Sequence, residues 1–521
     1  MTFAGFALYT LVFLASLFLY VRFNDRTLRV IPNRALEFSP ERCTSKNVLS
    51  TSARLQRGPA ISVDDQIPPK TGRRYIVTGG AGFLGGWIVF HLIRRGEDPR
   101  NIRVLDIRPP TRKDLRAGIG KGVDYRIVDV SNADAVREAF EASWPNGPES
   151  PITVFHTAAN IRFYERDASL VSASTRVNVV GTMNVLNSAR AIGASILIST
   201  SSASLGGRTT NLFLRPWQKE PEFFVQVIND DDTLLPKRHQ DFFSNYAFTK
   251  REGEKLVRAA DRSPSGNGII RTGCIRPGNG VFGPGGDMLF GAYLVRRVNP
   301  TWISHVIQNA VYVENCVLAH LLYERRLLDL KDNSTTNPDI GGDAFCITDP
   351  GPPPTYGDVY TTLSTLTDGE TAFPELSLTG LLIFSYLIEF YYLLRNRLLS
   401  SSLWPFLKFL LPPINGDLVN LQPSLFHFVS VHLIFDDSRA RLPPEKGGLG
   451  YKGAWTTIEG LHELVKHHKS GSNRSEQRSD MAGVSFGFGL FKAQRGVAKV
   501  GEKVKQEIGI DPVTTLGTAT K

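Results

Sequence analysis

Short apolar runs of strand length recur between residues 74 and 199 and alternate with stretches of helical period. Arg74-Tyr75-Ile76-Val77-Thr78 is the first, and residues 102–106, 125–128, 153–156 and 195–199 follow. Between them, residues 83–95, 133–142 and 177–192 place apolar side chains at helical spacing. A strand that is apolar throughout must be buried on both faces. A helix between two such strands lets the chain return over a face and add the next strand in parallel. The pattern therefore predicts an α/β fold, a Rossmann doubly wound parallel sheet.

The pattern differs at both ends. Residues 3–21 are uncharged and rich in Phe, Leu, Ala and Val, about the length of a membrane-crossing helix. Arg22, Arg26 and Arg29 follow at once. A secretory leader carries its positive charge before the apolar stretch and small residues at a cleavage site after it, and neither is present. The segment reads as an uncleaved transmembrane anchor over residues 1–22, and the basic flank places the rest of the chain in the cytosol. A cleaved leader is the alternative, under which the sequons at Asn333 and Asn473 would be glycosylated. Residues 23–71 show little periodicity, end near Pro68-Pro69, and read as a linker. The folded body is expected over 72–467. Within it, residues 376–411 are strongly apolar and read as an in-plane membrane patch or hairpin rather than a second crossing, a buried wall being the plainer alternative. Residues 468–521, rich in Gly, Ser and charge, read as a flexible tail.

Composition narrows the classes. The formal charge is +10, but the basic residues are scattered, with no long Lys/Arg run, so no nucleic-acid partner is expected. Cys43, Cys274, Cys316 and Cys346 lie far apart and make no zinc-type cluster, so no metal is expected and the thiols read as free.

Three motifs carry chemistry. Thr78-Gly79-Gly80-Ala81-Gly82-Phe83-Leu84-Gly85 joins the first strand to the first helix. Its glycines permit a tight turn, close approach of a pyrophosphate and packing of helix on strand, and the helix N-terminus attracts an anion. Asp106, at the end of the second strand, suits the hydroxyls of an adenosine ribose and would repel a 2′-phosphate, which favours NAD over NADP; Arg108 nearby blurs that preference. Tyr246-Ala247-Phe248-Thr249-Lys250 puts a phenol and an ammonium on one helix face. Lowering a tyrosine from about 10 to near 7 takes roughly 4 kcal/mol, which a nearby lysine and a nicotinamide ring are expected to supply. Ser199-Thr200-Ser201-Ser202-Ala203 ends a central strand, where ligands of such sheets bind.

In this order the motifs resemble the extended short-chain dehydrogenase/reductase superfamily. Further blocks agree: Val154-Phe155-His156-Thr157-Ala158-Ala159, Asn178-Val179-Val180-Gly181-Thr182 and the run from Ile275-Arg276-Pro277 to Gly283-Pro284-Gly285. Val311-Tyr312-Val313-Glu314-Asn315-Cys316 and Ala344-Phe345-Cys346-Ile347-Thr348-Asp349 narrow the resemblance to the 3β-hydroxysteroid dehydrogenase/isomerase family, and within it to sterol-4α-carboxylate 3-dehydrogenases. The resemblance implies a smaller C-terminal substrate-binding subdomain and NAD held by Gly79, Gly82, Phe83, Leu84, Gly85, Asp106, Asp129, Ala158, Tyr246, Lys250 and Pro277. It implies catalysis by Ser202, Tyr246 and Lys250: oxidation of a sterol 3β-hydroxyl, with loss of a 4α-carboxylate where one is present. The expected partners are a lipophilic sterol-like substrate and a membrane, that of the endoplasmic reticulum by substrate class, with a homodimer or a sterol-pathway enzyme complex left open. A stretch around residues 211–237, between Ser202 and Tyr246, is longer than the family pattern and is expected to border the substrate entrance. Two rivals share the scaffold: a carbonyl reductase or nucleotide-sugar epimerase, and a membrane-bound NAD-binding scaffold without turnover.

Overall fold

The computed structural model describes residues 3–145, 150–331, 335–399, 401, 411–414 and 416–471. Its centre is a sheet of seven parallel strands: β1 (Arg74–Thr78), β2 (Ile102–Asp106), β3 (Asp124–Ile127), β4 (Ile152–His156), β5 (Ile196–Thr200), β6 (Arg271–Pro277) and β7 (Ala344–Ile347). The order across the sheet is β7-β6-β5-β4-β1-β2-β3, with the switch of direction between β1 and β4. Alternating residues on each strand feed two apolar layers. Ile76, Leu105, Val154 and Leu197 share one core cluster; Tyr75, Val77, Val104, Phe155 and Ile198 belong to the other.

The helices used below are, in chain order, α1 (Phe3–Leu28), α2 (Ser45–Arg57), α3 (Phe83–Arg94), α4 (Ala133–Glu141), α5 (Thr182–Ala191), α6 (Asn245–Ala259), α7 (Val313–Lys331), α8 (Tyr356–Leu366), α9 (Leu378–Leu399), α10 (Pro423–Val429) and α11 (Thr457–Lys469). Helices α3 and α7 pack over one sheet face, and α4, α5 and α6 form the opposite layer. The stretch before α5 is a π-helical turn, Arg176–Gly181. Beyond the sheet, two short parallel pairs build the smaller C-terminal part: Val281–Phe282 with Val311–Tyr312, and Val225–Ile228 with His432–Phe435. The second pair joins the long stretch after Ser202 to the C-terminal segment. That stretch is therefore part of the folded body.

Residues 23–71, expected as a linker, carry packed structure instead. Thr44 and Asn47 form a capping box on α2, and α2 lies against α8 and α11. Arg42 pairs with Asp358 at 2.9 Å and Arg54 with Glu459 at 2.6 Å. A helix this short is marginal alone and takes its stability from the surface it covers, so the sequence pattern under-reports it.

Helix α1 is exposed along its apolar length and docks only by its last turns. Asn24 is buried; its amide donates to the Leu212 carbonyl at 2.9 Å and accepts from the Leu214 N–H at 3.0 Å. Asp25 accepts from the N–H and hydroxyl of Thr379, at the start of α9. In α9, Leu378, Leu382, Ser385 and Ile388 face the body and are buried. On another side of the same helix Phe384, Leu387 and Phe390 are exposed, the last two by 61% and 67%. Glu389 and Tyr392 make polar bonds to the body. The helix lies along the protein surface with one face committed. Of the apolar stretch beyond it, residues 400, 402–410 and 415 lie outside the described residues, as do both sequons' Asn333 and Asn473 and most of the expected tail.

Candidate active site

The glycine turn is built so that a side chain would block it. Gly79 has φ +72°, and a Cβ there would stand 2.8 Å from the Ala158 N and the Thr157 Oγ1. A Cβ on Gly85 would strike the Gly79 carbonyl, so the first turn of α3 rests directly on the strand-to-helix turn. Gly82 precedes α3 and no side chain caps this helix, which leaves its first N–H groups, beginning at Phe83 and Leu84, for a bound anion. Asp106 ends β2 beside the turn, where its Oδ2 accepts from the Ala81 N–H at 3.2 Å. Asp129 is exposed after β3, and its Oδ1 accepts from the Ser131 N–H at 2.9 Å. Pro277 is buried at the end of β6. The cradle fits a dinucleotide: a bare helix N-terminus, backbone open to a pyrophosphate, and a carboxylate one strand away.

Tyr246 and Lys250 stand on the first turns of α6, whose N-cap Ser244 accepts from the Ala247 N–H at 3.2 Å. Both are half-buried. Burial pushes the Tyr246 phenol up, and a hydrogen bond with Ser202 pulls it back. Ser202 follows β5 and also shares a 2.7 Å hydrogen bond with Ser204. The Lys250 Nζ donates to the Thr200 carbonyl at 2.6 Å. Burial pulls this ammonium down to about 8, against the opposing pull of Cys274 and Glu254. Lys250 is thus directed at the Thr200 carbonyl, and the group that lowers the phenol here is Ser202.

Further groups hold these three, among them His320, Gly253 and Glu254, which the sequence motifs did not include. Thr200 shares a 2.8 Å hydrogen bond with the His320 Nε2, whose Nδ1 is 2.8 Å from the Cys316 carbonyl. A carbonyl only accepts, so the His320 Nδ1 carries a proton, and burial lowers this imidazole to about 4. The Asn178 amide, in the π-helical turn, donates to Thr249 and to the Asn160 carbonyl, both at 3.0 Å. The Thr249 hydroxyl donates back to the Asn245 carbonyl at 2.8 Å. Gly253 lets α6 sit against that turn, since a Cβ would strike the Asn178 carbonyl. Glu254, one turn beyond Lys250, is buried; burial would raise its carboxyl, but Arg276 outweighs this and holds it low, with bonds of 2.9 and 2.6 Å. The signal for Glu254 was its spacing: Tyr246, Lys250 and Glu254 run at i, i+4 and i+8. A cavity of about 960 Å³ between α2, α3 and α11, lined by Trp87, Arg112, Trp455 and His462, includes none of Ser202, Tyr246 and Lys250.

The chain is 28% identical over 443 residues to the 3beta-hydroxysteroid-dehydrogenase/decarboxylase isoform 2 of Arabidopsis thaliana, covering 81% of this chain and 67% of that one. It is 30% identical over 264 residues to a 3 beta-hydroxysteroid dehydrogenase/Delta 5-->4-isomerase of vaccinia virus, covering 48% and 65%. Among solved structures, a UDP-glucose 4-epimerase of Thermotoga maritima is 17% identical with a TM-score of 0.48, covering 76% of this chain and 99% of that one. The family model of the 3-beta hydroxysteroid dehydrogenase/isomerase family matches residues 76–374, more than half of the chain, and the chain belongs to that family.

Proposed function

We propose that this protein is an NAD-dependent dehydrogenase that oxidises the 3β-hydroxyl of a membrane-resident sterol to the 3-ketone, and that its substrate carries a 4α-carboxylate. One observation carries the reading: Tyr246 and Lys250 stand one helical turn apart at the start of α6, with Ser202 beside the phenol. Gly79, Gly82, Phe83, Leu84 and Gly85 would hold the pyrophosphate, and Asp106 the adenosine ribose. When bound, NAD⁺ supplies the acceptor for the carbinol hydride. Tyr246, as phenolate, takes the hydroxyl proton, Ser202 orients the oxygen as its charge changes, and Lys250 holds positive charge beside them. Hydride and proton leave together, and a neutral ketone remains. With a carboxylate on the neighbouring carbon, that ketone is a β-keto acid, which loses CO₂ readily. The two Arabidopsis relatives with dehydrogenase/decarboxylase names favour this class.

The membrane part of the reading rests on α1 and α9. An exposed apolar helix whose last turns carry Arg22 and Arg26, with Arg29 just beyond, suits an anchor with the body on the cytosolic side, and the outer face of α9 suits the bilayer surface beside it. Endoplasmic reticulum is the membrane this substrate class implies. The test is NADH formation by the full chain in detergent or nanodiscs, with 3β-hydroxysterols that carry or lack the 4α-carboxylate. The carboxylated sterol is expected to be the best substrate and Tyr246→Phe to lose at least a thousandfold in kcat while binding NAD normally. Turnover of nucleotide sugars but not sterols, or full activity in Tyr246→Phe, refutes the reading.

A further inference from the structure

The loop after β4 is held on two sides by three consecutive residues. Glu165 is buried to 1% exposure. Its Oε1 accepts from the Tyr392 hydroxyl of α9 at 2.7 Å and from the Arg162 Nη2, and its Oε2 accepts from the Arg162 Nε at 2.9 Å. Arg166 forms a bidentate pair with Glu389 of α9, both bonds at 2.7 Å. The side chains of 165 and 166 thus reach towards α9. The backbone reaches the other way. The Glu165 carbonyl accepts from the Asn245 N–H at 2.7 Å, and the Asp167 carbonyl accepts from the Asn245 side-chain amide at 2.8 Å. Asn245 is the first residue of α6, and Tyr246 follows it.

The Asn245 N–H is one of the donors a helix start leaves unpaired, and Ser244 caps Ala247 instead. Glu165 therefore supplies, from outside the helix, the acceptor that fixes the residue before the catalytic phenol. A third contact closes the frame: the Ser424 hydroxyl of α10 is 2.7 Å from the carbonyls of both Phe163 and Phe243. Phe428 of the same helix stacks on Phe243 at 4.8 Å.

We propose that Glu165 is a positioning residue that ties the seating of α9 to the placement of Tyr246. Reacting groups tolerate little error, since a misplacement of about 1 Å can cost on the order of a hundredfold in rate. The outer face of α9 carries Phe384, Leu387 and Phe390, so whatever α9 rests on is coupled through Glu165 to the catalytic phenol. The kinetic part of this proposal rests on the dehydrogenase reading above.

The test uses the full chain in nanodiscs with NAD and a 3β-hydroxy-4α-carboxysterol. Tyr392→Phe removes one hydroxyl and with it the bonds from α9 to Glu165 and Arg162, while the Arg166–Glu389 pair stays; Glu165→Gln keeps the shape and the Tyr392 bond but loses the ion pair with Arg162. Tyr392→Phe is expected to lower kcat about tenfold, to leave NAD affinity unchanged, and to move the basic-group limb of the kcat–pH profile upward. Glu165→Ala should lose more than Glu165→Gln. Independently of activity, amide exchange at the peptide spanning Asn245 should quicken about tenfold in Tyr392→Phe. If Tyr392→Phe matches wild type in kcat, pH profile and exchange, the coupling is overturned, whatever Glu165→Gln does. If wild type oxidises no sterol but exchange at Asn245 still responds to Tyr392→Phe, the proposed function fails and the coupling stands.

Discussion

The spacing of Tyr246 and Lys250 was readable in the sequence, but their electrostatics were not. Four residues of separation put both groups on one helix face, yet only the fold shows that Lys250 donates to the Thr200 carbonyl and that burial raises the phenol. The site therefore holds a neutral-leaning tyrosine beside an ammonium lowered to about 8, and a cationic nicotinamide would add to the charge that favours phenolate. The lysine shift has a consequence for stability. An unfolded lysine keeps its proton up to about 10.4, whereas the folded Lys250 loses it near 8. Below about pH 8 both states carry the proton, and the cost of burying it is present in full. Between there and 10.4 the unfolded state binds more protons, so folded stability rises with pH. Lys250→Met lacks this term. The melting temperature of wild type minus that of Lys250→Met should climb from pH 7 to about 9.5; a flat or falling difference in scanning fluorimetry would disprove the burial assigned to Lys250.

At the scale of elements, legibility followed hydrophobic period. β1 and β2, and the start of α3, fall where unbroken apolar runs and the glycine turn put them, because a central parallel strand has few other readings. α2 was missed for the opposite reason: its fold depends on a capping box and on partners such as Glu459, far away in the chain. Glu165 was invisible in the same way, since its value lies in joining residues 227 positions apart. The apolar stretch over α9 was legible as unusual but ambiguous, because hydrophobic period alone does not tell an exposed apolar side from a buried one. The structure separates them: Leu382 and Ile388 inward, Phe384, Leu387 and Phe390 outward. Replacing the three outward residues together by Ser removes little buried area and should leave the melting temperature within about 2 °C, as expected for exposed sites. The same variant should lose several-fold in kcat/KM for a sterol presented in vesicles, while a water-soluble 3β-hydroxysteroid is oxidised as before. Equal loss on both substrates would show that the face serves the fold and not the bilayer.

At the scale of the whole molecule, the question is whether α1, the proposed anchor, is a tether or a fixed mount. A tether would let the body rotate freely above the membrane; a mount would hold α9 and the site mouth in one orientation. Asn24 argues for the mount. It is fully buried, and its amide pairs with the Leu212 carbonyl, the Leu214 N–H and the Thr379 hydroxyl, which belong to two distant segments of the body. Asp25 adds two bonds to Thr379 at the head of α9. Removing the Asn24 amide leaves a buried donor and acceptor unpaired, each costing about 1–3 kcal/mol. Asn24→Ala should therefore lower the melting temperature by a few degrees yet leave the protein in the membrane fraction, because residues 3–21 are untouched. If α1 is a mount, the variant also loses turnover of vesicle-borne sterol while keeping that of a soluble steroid, since the body can still fold and bind NAD but no longer meets the bilayer squarely. If it is a tether, both substrates respond alike and only stability falls. The ratio of the two rates, measured at a temperature where both proteins are folded, separates the two pictures without relying on the size of either effect.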